Sequence, residues 1–166
     1  MSDYTIVKLG DVENVAPQFQ MPEGMDVRFP KRHLGCSVGG VGIEKLPAGV
    51  RQPFGHTHSE QEEIYVIAEG SGRIKLDDEI HELEQWDILR IGPGVMRNLE
   101  AGSDGITLIA FGAPIAEESD GEIVPGWWAD RGSDSPPLQS SPRPGHCSSC
   151  RQRPSPAARP RHLQPT

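Results

Sequence analysis

The chain has 166 residues and a formal charge of −8, enough length for one ordinary domain of about 100–150 residues built around a single core. The charge is unevenly spread, with 10 Lys/Arg against 23 Asp/Glu in residues 1–130 and 6 Arg against 1 Asp in residues 131–166. So acidic a body would repel a phosphate backbone, which excludes nucleic acid as an expected partner.

No stretch approaches the roughly 18 consecutive apolar residues of a membrane helix, and MSDYTIVKLGD lacks the basic start and apolar middle of a secretory signal. The expectation is a soluble, cytoplasmic protein without a membrane partner. Three cysteines, Cys36, Cys147 and Cys150, are too few and too unevenly placed for a disulfide framework. Cys36 lies among apolar residues and is expected to pack as a reduced thiol.

Short runs rich in Val, Ile, Leu and Tyr alternate with Gly, Pro and Asp along most of the chain, a pattern of strands bounded by turns. It predicts strands over 4–8, 34–46, 55–58, 62–69, 72–76, 79–83, 87–91, 96–100 and 106–112. Helix candidates are scarce. Residues 73–76 and 79–83 alternate polar and apolar around Asp77-Asp78, as a hairpin with one wet face would. Many short, evenly spaced strands favour an all-β sandwich or barrel, and a closed sheet of about eight strands leaves an interior for one small ligand. From Gly132 on, the chain holds 8 of the 16 prolines and no Phe, Trp, Tyr, Val or Ile. Such a segment buries too little apolar surface to offset the entropy of ordering, so 1–130 is read as the domain and 131–166 as a disordered tail.

The stretch GHTHSEQEEIY, Gly55 to Tyr65, carries the chemistry. Strand side chains alternate, so His56 and His58 project to one side and can reach one ion. If Glu63 opens the next strand, then Glu63, Tyr65 and Ile67 share a face that begins with a carboxylate and continues apolar. Two imidazoles and a carboxylate suit Zn, Fe, Mn, Ni or Cu. A solvated acidic turn with surface histidines is the competing interpretation, and Glu62 fits the spacing as well as Glu63 does.

HTHSEQEEIYVIAEGSG resembles the first motif of the cupin superfamily, G(X)5HXH(X)3-4E(X)6G, with His56, His58, Glu63 and Gly70 at the matching positions and Gly49 one residue early. WDILRIGPGVMRNLEA is similar to the second motif, G(X)5PXG(X)2H(X)3N, but Trp86 replaces its glycine, Gly92 its proline and Ala101 its asparagine. Arg97 stands where the motif has its last histidine, and a guanidinium has no lone pair for a metal. The resemblance spans about residues 34–112. It implies an all-β, cupin-like (double-stranded β-helix or jelly-roll) barrel, a divalent metal ion on His56, His58 and Glu63, and a homodimer.

Two outcomes follow for Arg97. It could hold the negative group of a small anionic substrate beside the metal, or it could pair with Glu63 and fill the site without an ion. The first describes a metal-dependent enzyme of dioxygenase or isomerase type. The second describes a non-catalytic small-molecule-binding or sensor barrel. Tyr65 is a candidate for orienting the substrate. Trp86 and Trp127-Trp128 are candidates for packing at the barrel mouth or a dimer contact, His33 and His81 for solvated surface positions. The CxxC at Cys147 has no second pair, and Gly39-Gly40-Val41-Gly42 opens no helix, so neither supports a metal or phosphate site.

Overall fold

The structure, a computed structural model, describes residues 4–113 and 121–129. Eight strands carry the fold: β1 (Asp26–Arg28), β2 (Gly40–Leu46), β3 (Phe54–His58), β4 (Glu63–Leu76), β5 (Glu79–Glu84), β6 (Ile88–Ile91), β7 (Arg97–Gly112) and β8 (Gly121–Pro125). One helical turn, α1 (Lys31–Leu34), and two short 3-10 turns complete the described residues. All strand pairs are antiparallel.

β4 and β7 are long, and each contributes to two sheets. The first part of β4 pairs with the last part of β7, from Glu63↔Gly112 to Gly70↔Ile106, and extends to β6 on one side and β2 and β1 on the other. The second part of β4 pairs with the first part of β7, from Gly72↔Ala101 to Leu76↔Arg97, and extends to β5 and, through His56↔Arg97, to β3 and β8. The pairing shifts register around Gly70. Gly70 has φ 75°, and a Cβ there would lie 2.1 Å from the carbonyl oxygen of Gly105, so only glycine lets the two strands cross so closely at the bend. Side chains from both sheets meet in the core, among them Val27, Leu46, Ile67, Ile74, Leu99 and Leu108, each at most 3% exposed.

The all-β roll agrees with the sequence pattern, and the element boundaries differ in four places. Residues 63–76 and 97–112 form two continuous strands instead of four, because glycine permits a bend at the register shift. Tyr4–Lys8 forms no strand, and Tyr4 and Ile6 are exposed. The expected strand over 34–46 starts only at Gly40, since Pro30 opens α1 and Gly35, with φ 71°, ends it. β1 and β8 were not expected. Cys36 is exposed, not packed. The Pro/Ser/Arg-rich stretch 131–166, with Cys147 and Cys150, lies outside the described residues.

Candidate metal centre and cavity

The roll encloses a cavity of about 420 Å³ lined by inward faces of β2, β3, β4, β7 and β8, within the roughly 300–1,000 Å³ range of small-molecule sites. Its space originates in small residues. Gly40 and Gly42 of β2 lie opposite Gly112 and Ala110 of β7, which in turn lie opposite Glu63 and Tyr65 of β4. Four inward positions therefore carry at most a methyl group.

His56 and His58 project from β3 into this space, their ring centroids 5.7 Å apart and nearly perpendicular. Glu63 opens β4 on the same side, and one ligand atom from each of His56, His58 and Glu63 lies within 4.8 Å of the others. Register thus chooses between the two acids. Glu62 is ion-paired with Arg90, away from the histidines.

Glu63 divides its carboxylate. Oε2 accepts hydrogen bonds from Arg97 Nη2 at 2.5 Å and from the Tyr65 hydroxyl at 3.0 Å. Oε1 faces His58 Nε2 at 3.6 Å. Burial alone would raise the Glu63 pKa, but the facing His58 and the charge and hydrogen bond of Arg97 outweigh it and bring it down to about 2. Burial, helped by Arg97 and His58, lowers His56 to about 4, so its ring is neutral at neutral pH. An ionised carboxylate beside a neutral imidazole is a donor pair ready for a cation. His56 Nδ1 is also buried with no hydrogen-bond partner among the described residues. Two ring nitrogens and one carboxylate oxygen at this separation fit a divalent transition-metal ion or zinc.

Arg97 is 1% exposed and is not among the residues that line the cavity. Its guanidinium contacts Glu63 and the Val95 carbonyl, the pairing with Glu63 that was the second of the two arrangements expected for it. Tyr65 lines the cavity at 4% exposure, with its hydroxyl directed to Glu63 and burial holding its pKa well above the usual phenol value. Trp86 is exposed, whereas Trp128 packs below Arg51 and Arg73. His33 and His81 stand beside Glu13 and Glu79 and take no part in the site.

Sequence reasoning missed Glu44. It is 9% exposed, lines the cavity from β2 and accepts a hydrogen bond from Gln52 Nε2 at 2.8 Å. Gln52 is itself fixed, because its Oε1 accepts from the Leu99 amide at 3.0 Å. Burial and the nearby Glu63 raise the Glu44 pKa to about 7. The signal was present in β2, where Gly40, Gly42, Glu44 and Leu46 share a face and the acid interrupts an otherwise small or apolar row.

A cupin protein from Bacteroides fragilis superposes with TM-score 0.57 at 30% identity, over 70% of this chain and 89% of that one. The chain belongs to the cupin superfamily. Solved structures of lower identity share the fold. The nucleoside dehydratase Pac13 matches with TM-score 0.58 at 15% identity, over 73% of this chain and 91% of that one. A predicted oxalate decarboxylase from Thermotoga maritima matches with TM-score 0.55 at 17% identity, over 67% of this chain and all (100%) of that one. No protein-family model and no curated protein matches the sequence. No helix among the described residues is long and apolar enough to cross a membrane.

Proposed function

We propose that this cupin is a metal-dependent enzyme acting on a small molecule held in its cavity. His56, His58 and Glu63 would hold a divalent ion, through imidazole nitrogens and Glu63 Oε1. The observation that carries this reading is the convergence of three donor atoms within 4.8 Å at the wall of an open cavity. A bound ion of this kind supplies a Lewis acid with coordination positions left for substrate. Arg97 keeps Glu63 ionised, and its hydrogen bond and that of Tyr65 aim the carboxylate, the supporting role that residues behind a metal ligand take. Glu44 offers a second carboxyl to whatever occupies the cavity. The cupin neighbours include enzymes, Pac13 among them.

Elemental analysis of the native protein and of His56→Ala and His58→Ala tests the reading. Near-stoichiometric metal in the native chain, lost in both variants, is the expected result. Native protein that takes up no transition metal or zinc would leave the metal-free binding barrel, with Arg97 and Glu63 as its internal ion pair.

A homodimer is the assembly this reading includes. Ile64 and Phe111 are cross-strand partners on the outer face of β4 and β7, and Ile88 stands beside them on β6 opposite Val66. All three are exposed, at 42%, 46% and 70%, and together they form an apolar patch suited to a second copy. Light scattering should give a dimer mass, reduced to that of a monomer by Phe111→Glu.

A further inference from the structure

We propose that the cavity takes a small organic amine, its protonated nitrogen against Glu44 and its apolar body against Phe29. The inference rests on the reading of this cavity as a ligand site. Glu44 is 9% exposed and lines the cavity from β2. Its cross-strand neighbours are Val27 on β1 and Leu108 on β7, both buried and apolar. Glu44 Oε2 accepts from Gln52 Nε2, and no other hydrogen bond or ion pair reaches the group among the described residues. The Gln52 side chain is itself held in place, because its Oε1 accepts from the Leu99 amide. The second oxygen of Glu44 is therefore left to a ligand. Burial and the negative Glu63 both disfavour the ionised form of Glu44, and a cation beside it offsets that cost.

The rest of the lining selects for the same charge. Glu63 is ionised and His56 is neutral, so neither offers an anion a positive partner. Among the described residues that line the cavity, Lys31 is the only lysine or arginine, and it is exposed. Arg97 is already committed to Glu63. An anionic ligand, the expectation attached to Arg97, would meet like charge instead. The apolar half of the ligand finds its place beside Glu44. Gly42 is the preceding inward position on β2, and a Cβ there would be 3.0 Å from the Phe29 ring, so that ring covers the wall next to the carboxyl. An aromatic face attracts an ammonium as well as an apolar body. Phe19, Met21 and Ile123 extend the apolar lining.

Titration calorimetry on the full chain tests this with phenethylamine, phenethyl alcohol and hydrocinnamate, which share a skeleton and differ in charge. It is run at about pH 8, where the amine keeps its proton, in protein of measured metal content and again after chelation. The expected result is that phenethylamine binds about tenfold more tightly than the alcohol, with hydrocinnamate the weakest. Glu44→Gln, which can still accept from Gln52, should remove that tenfold and leave the alcohol unchanged. Phe29→Ala should weaken the amine and the alcohol alike. A preference for the amine that Glu44→Gln abolishes upholds the inference even in protein found to be metal-free, where the metal reading falls by itself. The alcohol or hydrocinnamate binding as tightly as the amine overturns the inference and leaves the cavity a ligand site. No binding of phenethylamine in either metal state, or an amine preference that survives in Glu44→Gln, also overturns it.

Discussion

Arg97 and Glu63 meet in a 2.5 Å charged hydrogen bond, from a strand position directly across from His56. The arginine stands where the cupin motif has its last histidine, yet it does not displace Glu63 from the histidines. It takes Oε2 and leaves Oε1 turned to His58. The substitution therefore exchanges a ligand for a cation that holds the remaining carboxylate in its ionised form.

Replacing Arg97 by methionine keeps much of its volume and removes its charge, leaving Glu63 half as well compensated. Breaking one side of a buried ion pair costs about 3–5 kcal/mol, so Arg97→Met should melt well below the native protein. A divalent ion bound beside Glu63 would restore part of the lost compensation. Added zinc or manganese should consequently raise the melting temperature of Arg97→Met more than that of the native chain. Equal shifts in the two proteins would show that the ion and Arg97 do not act on the same carboxylate.

Glu44 predicts a pH dependence whose sign follows from its raised pKa. Below its ordinary value of 4.5 the group is protonated in both folded and unfolded chains. Between 4.5 and about 7 the unfolded chain has released the proton and the folded chain still holds it, so stability falls as pH rises. The slope is about 1.4 kcal/mol per pH unit, about 3 kcal/mol across the window, and flat above it. Glu44→Gln can still accept from Gln52 and lacks the titration. In chelated protein its melting temperature should match the native one near pH 4.5, exceed it increasingly up to about pH 7 and stay above it by a constant margin beyond. A constant difference would refute the assignment.

The local parts of the site were legible in the sequence, and the long-range parts were not. His56 and His58 needed only strand alternation, and Glu63 and Gly70 only their spacing within one strand. Choosing Glu63 over Glu62 required the pairing of β4 with β7. Glu44 lies near the histidines because β2 pairs with β7 and β7 with β4, a relation no window of sequence contains. Arg97 was conspicuous by its chemical type, but its direction depends on where Glu63 places its second oxygen. The pattern at Tyr4–Lys8 had the period of a strand and found no partner, whereas β8 gained one despite its short, acid-flanked sequence because the residues after it are anchored elsewhere.

Trp86 occupies a left-handed backbone conformation, φ 72°, at the position where the motif has glycine. A bulky residue there is strained by roughly 1–2 kcal/mol. Its side chain is 69% exposed, so little burial offsets the strain. Trp86→Gly should stabilise the fold by about 1 kcal/mol after allowing for the extra freedom of the unfolded chain. Chemical denaturation measures it, and a loss of stability would show that the indole contributes packing worth more than the strain.

The anchor for β8 is Trp128. Its carbonyl accepts from Arg51 Nη1 at 2.6 Å, and its ring lies 4.6 Å from the Arg51 guanidinium and 5.3 Å from that of Arg73. Both arginines also donate to one carboxylate, Glu100. Beside it Trp127 covers Gly55, where a Cβ would come within 2.8 Å of the indole, and meets Lys75 at 4.2 Å. β8 in turn pairs along the whole of β3, the strand that carries both histidines. Trp128→Ala removes a side chain only 8% exposed and should cost about 3–5 kcal/mol. Because the loss is centred on β8, amide exchange in residues 54–58 and 121–125 should accelerate more than in β4 or β6. Metal uptake should weaken with it, since loosening β3 lets the two rings lose their common aim. Exchange that accelerates uniformly would mean that the tryptophan supports the whole roll and not this pair of strands.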